Sequence, residues 1–222
     1  MVQREGSMIA TDGPRPRRPH PYANAPRLPE GERVDVQGLV SGKSYELEIG
    51  PGRGGFLFER AAAAPDTGLI GLEVRLKWAA VVDGRLAAHG LSSRARVFAE
   101  DARDALPRLG PDGVFAKVFV HFPDPWWKKR HAKRILMDAR LLEQIVRLLA
   151  SGGELFVQTD VPERAAQYEG LVSGERSLVA AGDAASAKLG DNPYGAKSPR
   201  ERRALDDGLP VHRMRWRRVP RE

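Results

Sequence analysis

The chemistry of this chain gathers between Phe119 and Arg134. Phe119-Val120-His121-Phe122-Pro123-Asp124-Pro125-Trp126-Trp127 carries an apolar strand into a carboxylate set between two prolines, then into two tryptophans. Lys128, Lys129, Arg130, Lys133 and Arg134 follow with no acid among them. Proline restrains the backbone on both sides of Asp124, so its carboxylate is a charge held in place. The alternative is a turn aspartate that bonds its own neighbouring amides. Trp126 offers a face for an unstacked base, or else fills space under a sheet; Trp127 reads more as packing. The cations suit phosphate. A fixed carboxylate, a stacking surface and a phosphate patch within a few residues point to work on a base in a nucleic acid.

A second motif, Glu48-Ile49-Gly50-Pro51-Gly52-Arg53-Gly54-Gly55, satisfies G-x-G-x-x-G through Gly50, Gly52 and Gly55, with Glu73 near the distance of a ribose-binding acid. Read alone, it allows a nicotinamide or flavin enzyme, or simply a tight turn. Electrostatics separate these. A dinucleotide brings a doubly negative pyrophosphate to the helix N-terminus, and Glu48, two residues ahead of Gly50, would oppose it. The same carboxylate favours the sulfonium and ammonium of S-adenosylmethionine. The glycines admit close approach of a ligand to the backbone, Glu73 suits the ribose, and Asp101 suits the adenine amino group or caps the turn that follows it. Asp160, after Gln158-Thr159, is a candidate for guanine or its ribose, or for the N-cap of a helix opening at Pro162.

These residues need a scaffold, and the hydrophobic pattern supplies one. Strands are predicted at Ser44–Ile49, Leu69–Val74, Arg94–Ala99, Val114–His121, Glu154–Thr159 and, late, Val211–Val219. Helices are predicted at Phe56–Ala64, Leu76–His89 and Ile135–Leu149, with another from Pro162. Such alternation predicts an α/β fold, a parallel sheet with helices on both faces. Ligands of such sheets sit beyond the carboxyl ends of the strands, which would bring Gly50–Gly55, Glu73, Asp101, Asp124 and Asp160 to one rim. Residues 1–43, with prolines at 14, 16, 19, 21, 26 and 29, read as an irregular basic arm, mobile through about residue 30, ahead of one domain over 44–222.

Composition narrows the classes. The 222 residues carry a net charge of +7, which favours polyanionic partners. Arginines crowd the head (Arg15, Arg17, Arg18, Arg27) and the tail (Arg200, Arg202, Arg203, Arg213, Arg215, Arg217, Arg218, Arg221). There is no cysteine, which excludes disulfides, zinc–thiolate sites and a thiol nucleophile. The five histidines have no metal-ligand spacing, so no metal is expected, and His121 reads as a packed or hydrogen-bonded strand residue. The opening residues lack a secretory h-region and no apolar run spans a bilayer; a cytoplasmic protein is expected.

With Glu48-Ile49-Gly50-x-Gly52, Gly71-Leu72-Glu73-Val74, Asp101-Ala102, the Phe122–Arg134 block and Thr159-Asp160 in this order, the chain resembles the bacterial-type tRNA (guanine-N7-)-methyltransferases from about residue 44 onward. The resemblance implies a Rossmann-like class I methyltransferase fold, S-adenosylmethionine as donor, and N7 of the variable-loop guanine of tRNA as acceptor. It implies donor binding by Glu48, Glu73 and Asp101, a catalytic and donor-contacting Asp124, and substrate binding by Lys128 and Asp160. The family's late Thr-Lys-Phe-Glu motif stands here as Ser198-Pro199-Arg200-Glu201, so Ser198 and Glu201 carry its hydroxyl and carboxylate while the middle pair departs. Two other classes stay open: a dinucleotide oxidoreductase, and an RNA-binding module on a methyltransferase fold that has lost its activity. The latter would be expected to lack one of Glu48, Glu73 and Asp124, and all three are present.

Overall fold

The computed structural model describes residues 21–123 and 136–221. Eight strands form one sheet: β1 (Ser44–Ile49), β2 (Thr67–Leu72), β3 (Ala95–Phe98), β4 (Phe115–His121), β5 (Leu149–Thr159), β6 (Leu178–Ala180), β7 (Lys188–Leu189) and β8 (His212–Arg218). Their order is β3-β2-β1-β4-β5-β8-β6, with β7 also paired to β8. The first five strands are mutually parallel, while β8 runs antiparallel to β5, β6 and β7. From β1 the chain builds outward to β3, then returns to the other side of β1 for β4. That reversal of winding opens a crevice beyond the carboxyl ends of β1 and β4.

The helices are α1 (Gly55–Ala63), α2 (Leu76–Ala88), the short α3 (Ala102–Ala105), α4 (Ala139–Leu148), α5 (Pro162–Ser173) and α6 (Pro199–Asp206). Side chains alternate across a strand, and the two faces of this sheet differ accordingly. Leu47, Ile49, Val118, Val120, Leu155, Val157, Met214 and Trp216 project to one side, where Leu141, Leu142 and Ile145 of α4 and Tyr168 and Val172 of α5 complete the main core. Leu28, Val34, Val36 and Val40, from the segment ahead of β1, pack into that same core. On the other side, Leu57, Ala79, Val82 and Leu86 of α1 and α2 close over Leu69 and Val97.

The centre of that second face is polar. Glu46 and Glu48 of β1, Lys117 and His121 of β4, Glu154 and Gln158 of β5 and Arg213 of β8 share it. Parallel strands buried on both faces are normally apolar throughout, and buried charges persist only where paired. Here they are: Arg60 of α1 holds Glu46 through two bonds of 2.7 Å, and Lys117 adds a third at 3.0 Å. Phe56, Phe119, Phe156, Tyr194 and Ala196 fill the spaces between.

The structure sharpens several predicted boundaries. The Asp138 side chain accepts from Leu141 N at 2.9 Å and caps α4, which therefore starts at Ala139 rather than at residue 135. β5 begins at Leu149, ahead of Gly152 and Gly153, because those glycines lie within the strand. Gly152 sits at φ +75°, and a Cβ on Gly153 would fall 2.9 Å from Ala150 O. Helix α6 lacks apolar periodicity; only Glu201 and Ala204 are buried in it. It forms on its Ser198 cap and Pro199 at the first helical position.

Candidate active site

Residues from four strand ends line a crevice of about 540 Å³: Ile49 and Gly50 after β1, Leu72–Arg75 after β2, Glu100–Arg103 after β3, and His121–Pro123 after β4, with Leu136 closing it. Gly50 brings the start of the glycine turn to this crevice. Gly50 and Gly52 have φ of +75° and +55°, which favour glycine. A Cβ on Gly50 would meet nothing within 4 Å, so the backbone there faces open space.

Glu73, buried, fixes this turn. Its Oε2 accepts from Gly52 N at 2.9 Å, and its Oε1 accepts from Arg75 N and Nε, each at 2.9 Å. The Arg75 side chain is itself mostly exposed. Asp101 repeats the pattern one strand outward. It accepts from Arg103 N and Nε at 3.0 Å and Nη2 at 2.6 Å and caps α3. The Arg103 guanidinium holds the Asp101 carboxyl below the ordinary aspartate range, against the opposing effect of burial. Asp101 is therefore both a cap and a wall residue of the crevice.

Glu48 lies beneath the wall rather than in it. It is 2% exposed, and His121 Nδ1 donates to its Oε1 at 2.9 Å. His121 thus takes a hydrogen-bonded role, and the imidazole reaches the crevice that the carboxylate does not line. Phe122 follows with φ +45° while its N–H bonds Gln158 O at 2.8 Å. A bulky residue in the left-handed region is strained, and such strain gathers at functional sites. Its proline neighbours made this turn visible in the sequence; the strain and the Glu48–His121 pair left no such mark. Asp124, Trp126, Trp127 and the Lys128–Arg134 cations lie outside the described residues.

At the rim beyond β5, Asp160 does not cap α5. Val161 stands at its N-cap with no side-chain cap, Thr159 Oγ1 accepts from Val161 N, and Asp160 pairs with Arg200 of α6. Ser198 and Glu201 are both buried. Ser198 Oγ accepts from Glu201 N at 3.1 Å, and Glu201 Oε1 accepts from Arg213 Nε and Nη2 at 3.0 and 2.9 Å. Glu201 Oε2 accepts from Gln158 Nε2 and Asn192 Nδ2 at 3.1 and 3.0 Å. The structure brings Gly50, Glu73 and Asp101 to one crevice; Asp160, paired with Arg200, and the buried Ser198 and Glu201 are not among its lining residues.

The tail arginines are largely engaged within the protein. Arg213 pairs with Glu201, Arg217 reaches Glu154 at 3.2 Å, and Arg221 donates to Arg147 O and Leu149 O. Arg27 of the head donates to Ala99 O. Among the described residues, no helix is long and apolar enough to cross a membrane, and no group of acids and histidines has metal-binding geometry.

Comparison with known proteins agrees with this geometry. Residues 43–214 match the family described as "Putative methyltransferase". A tRNA (guanine-N(7)-)-methyltransferase of Anaeromyxobacter dehalogenans (strain 2CP-C) is 45% identical over 179 residues, which cover 79% of this chain and 86% of that protein. A protein of the same name from Paramagnetospirillum magneticum (strain ATCC 700264 / AMB-1) is 46% identical over 133 residues, spanning 59% of this chain and 56% of that protein. The crystal structure of the 16S rRNA methyltransferase KamB superposes with a TM-score of 0.59 at 15% identity, covering 83% of this chain and 91% of that one. At that identity the likeness shows the class I methyltransferase fold alone.

Proposed function

We propose a reaction for this chain from one premise: it belongs to the tRNA (guanine-N7-)-methyltransferase family. Its crevice binds S-adenosylmethionine and supports transfer of the sulfonium methyl to N7 of a guanine in the variable loop of tRNA. The observation that carries this reading is the set of carboxylates around an open glycine turn. Glu73 and Asp101 are in the wall, and Glu48 lies below with its Oε2 buried and without a partner. A buried carboxylate oxygen lacking a donor suits a cationic ligand and opposes a pyrophosphate, so the donor set fits a sulfonium nucleoside and not a dinucleotide.

In this reading the ribose hydroxyls bind at Glu73 by displacing the exposed Arg75 guanidinium, while the Gly52 and Arg75 amides keep the carboxylate in place. Val74, 65% exposed in the crevice, gives the adenine an apolar surface, and Asp101 takes its amino group. Guanine N7 has a free lone pair and no proton to lose. Transfer therefore asks for in-line positioning rather than a strong base, and Asp124 stabilises the cationic product ring. Asp160, Ser198 and Glu201 shape the side of the site where the guanosine enters, Asp160 directly and the other two by holding α6. The test is mass analysis of nucleosides from tRNA incubated with enzyme and labelled donor. Label in 7-methylguanosine supports the reading, and label in any other nucleoside, or none, overturns it.

Two further results are expected. Glu73→Ala removes the acceptor of both turn amides and of the ribose, so donor affinity should fall about tenfold or more. Calorimetric titration checks this, and a dissociation constant within about twofold of wild type would count against the assignment. The acid-free run Lys128, Lys129 and Arg130 is the leading candidate for the phosphate contacts. Replacing all three with alanine should weaken tRNA binding and lower the slope of log K against log salt by about two to three. An unchanged slope would remove this block from the interface.

A further inference from the structure

The structure assigns a donor-positioning role to His121: its imidazole fixes the Glu48 carboxylate beneath the crevice wall, so that its charge lies under the ammonium of the methyl donor's amino-acid end. The inference rests on the donor reading above and names a residue that the sequence motifs do not.

Four observations combine. His121 ends β4 and reaches the crevice beside Ile49 and Gly50. Its Nδ1 lies 2.9 Å from Glu48 Oε1, and the two side chains are 3% and 2% exposed. Its ring packs edge-on against Phe56, with centroids 4.2 Å apart at 72°, and lies near Phe119 and Phe156 at 5.7 and 5.9 Å. Glu48 Oε2 and His121 Nε2 are both buried and without hydrogen-bond partners.

An ionised carboxylate only accepts, so Nδ1 carries the proton of this bond. The aromatic box restricts rotation of the ring. Oε1 is thereby engaged, and Oε2 stays buried beneath the crevice wall without a donor of its own. The groups facing the pair are the neutral Gln158, in register with His121 on β5, and the three phenylalanine rings. Glu73, Asp101 and Glu201 each have their own arginine. With a neutral imidazole the pair retains one negative charge in a low-dielectric pocket, which attracts a cation. Without the imidazole, the carboxylate loses the hydrogen bond that orients it beneath the crevice.

The test compares two nucleosides on three proteins. S-adenosylmethionine has the ammonium and sulfonium; methylthioadenosine has the same adenosine and sulfur but neither charge. His121→Phe keeps a ring in the aromatic box and removes Nδ1. His121→Asn places an amide N–H where Nδ1 stood. By calorimetry, His121→Phe should weaken S-adenosylmethionine roughly tenfold or more, the scale of one charge-assisted hydrogen bond, and leave methylthioadenosine unchanged. His121→Asn should recover most of the loss. Equal loss of both nucleosides, unchanged affinity for S-adenosylmethionine in His121→Phe, or failure of His121→Asn to recover binding would overturn the role. A wild-type protein that binds neither nucleoside would overturn the donor reading itself, which separates the two failures.

Discussion

Asp124→Ala should abolish methyl transfer while donor affinity falls much less. The expected loss in turnover is at least about 10²–10³-fold, the scale on which a single preorganised electrostatic partner of a transition state acts. Pro123 belongs to the crevice wall, and Phe122 before it is held at φ +45°. A chain that maintains strain at this turn and follows it with a proline-flanked carboxylate places that carboxylate for a purpose. The donor's other anchors lie at Glu73, Asp101 and the Glu48–His121 pair, so most of its affinity should survive the loss of one contact. Single-turnover rates and calorimetric donor binding, measured on the same preparation, decide the matter. Wild-type turnover in this variant would defeat the catalytic assignment, and a parallel collapse of donor binding would make donor contact its main role.

Much of the scaffold was legible in the chain because the first five strands end in recognisable turns. Gly50, Glu73, Asp101 and Phe122 each stand one or a few residues past an apolar run, and the parallel sheet carries those positions to one edge. What the sequence conceals is partnership. Glu46, Glu48, Lys117, His121, Glu154 and Gln158 alternate with apolar residues along three central strands, a pattern that ordinarily marks a solvated face. Their burial depends on Arg60 and on the 190–201 segment, and periodicity within a strand holds no record of partners so distant. The same blindness affects charge clusters. Arg213, Arg215 and Arg217 read together as a basic tail, yet strand alternation sets them on one face, where buried Arg213 meets Glu201 and Arg215 and the half-exposed Arg217 meet Glu154. A run of arginines at every second position of a strand is thus as compatible with an internal ion-pair ladder as with a polyanion surface.

Glu201 is where that distinction has its largest measurable consequence. Glu201→Ala should destabilise the fold by about 3–5 kcal/mol, because it leaves the Arg213 guanidinium, 6% exposed, without its carboxylate. Gln158 and Asn192 lose an acceptor in the same step, and the removed side chain is fully buried. Replacing both members by apolar residues of similar size, Glu201→Leu with Arg213→Met, should recover a good part of the loss, since no charge is then left uncompensated. Urea unfolding of the single and double variants checks this. A loss under about 1 kcal/mol for Glu201→Ala would show that the pair is not the buried network described, and would return Glu201 to direct contact with tRNA. If the stability loss is as large as expected, tRNA affinity measured well below the unfolding transition separates the remaining roles. A residue that only holds α6 should change binding through Arg200 and Asp160 at the rim, so Arg200→Ala should reproduce the binding defect without the loss of stability.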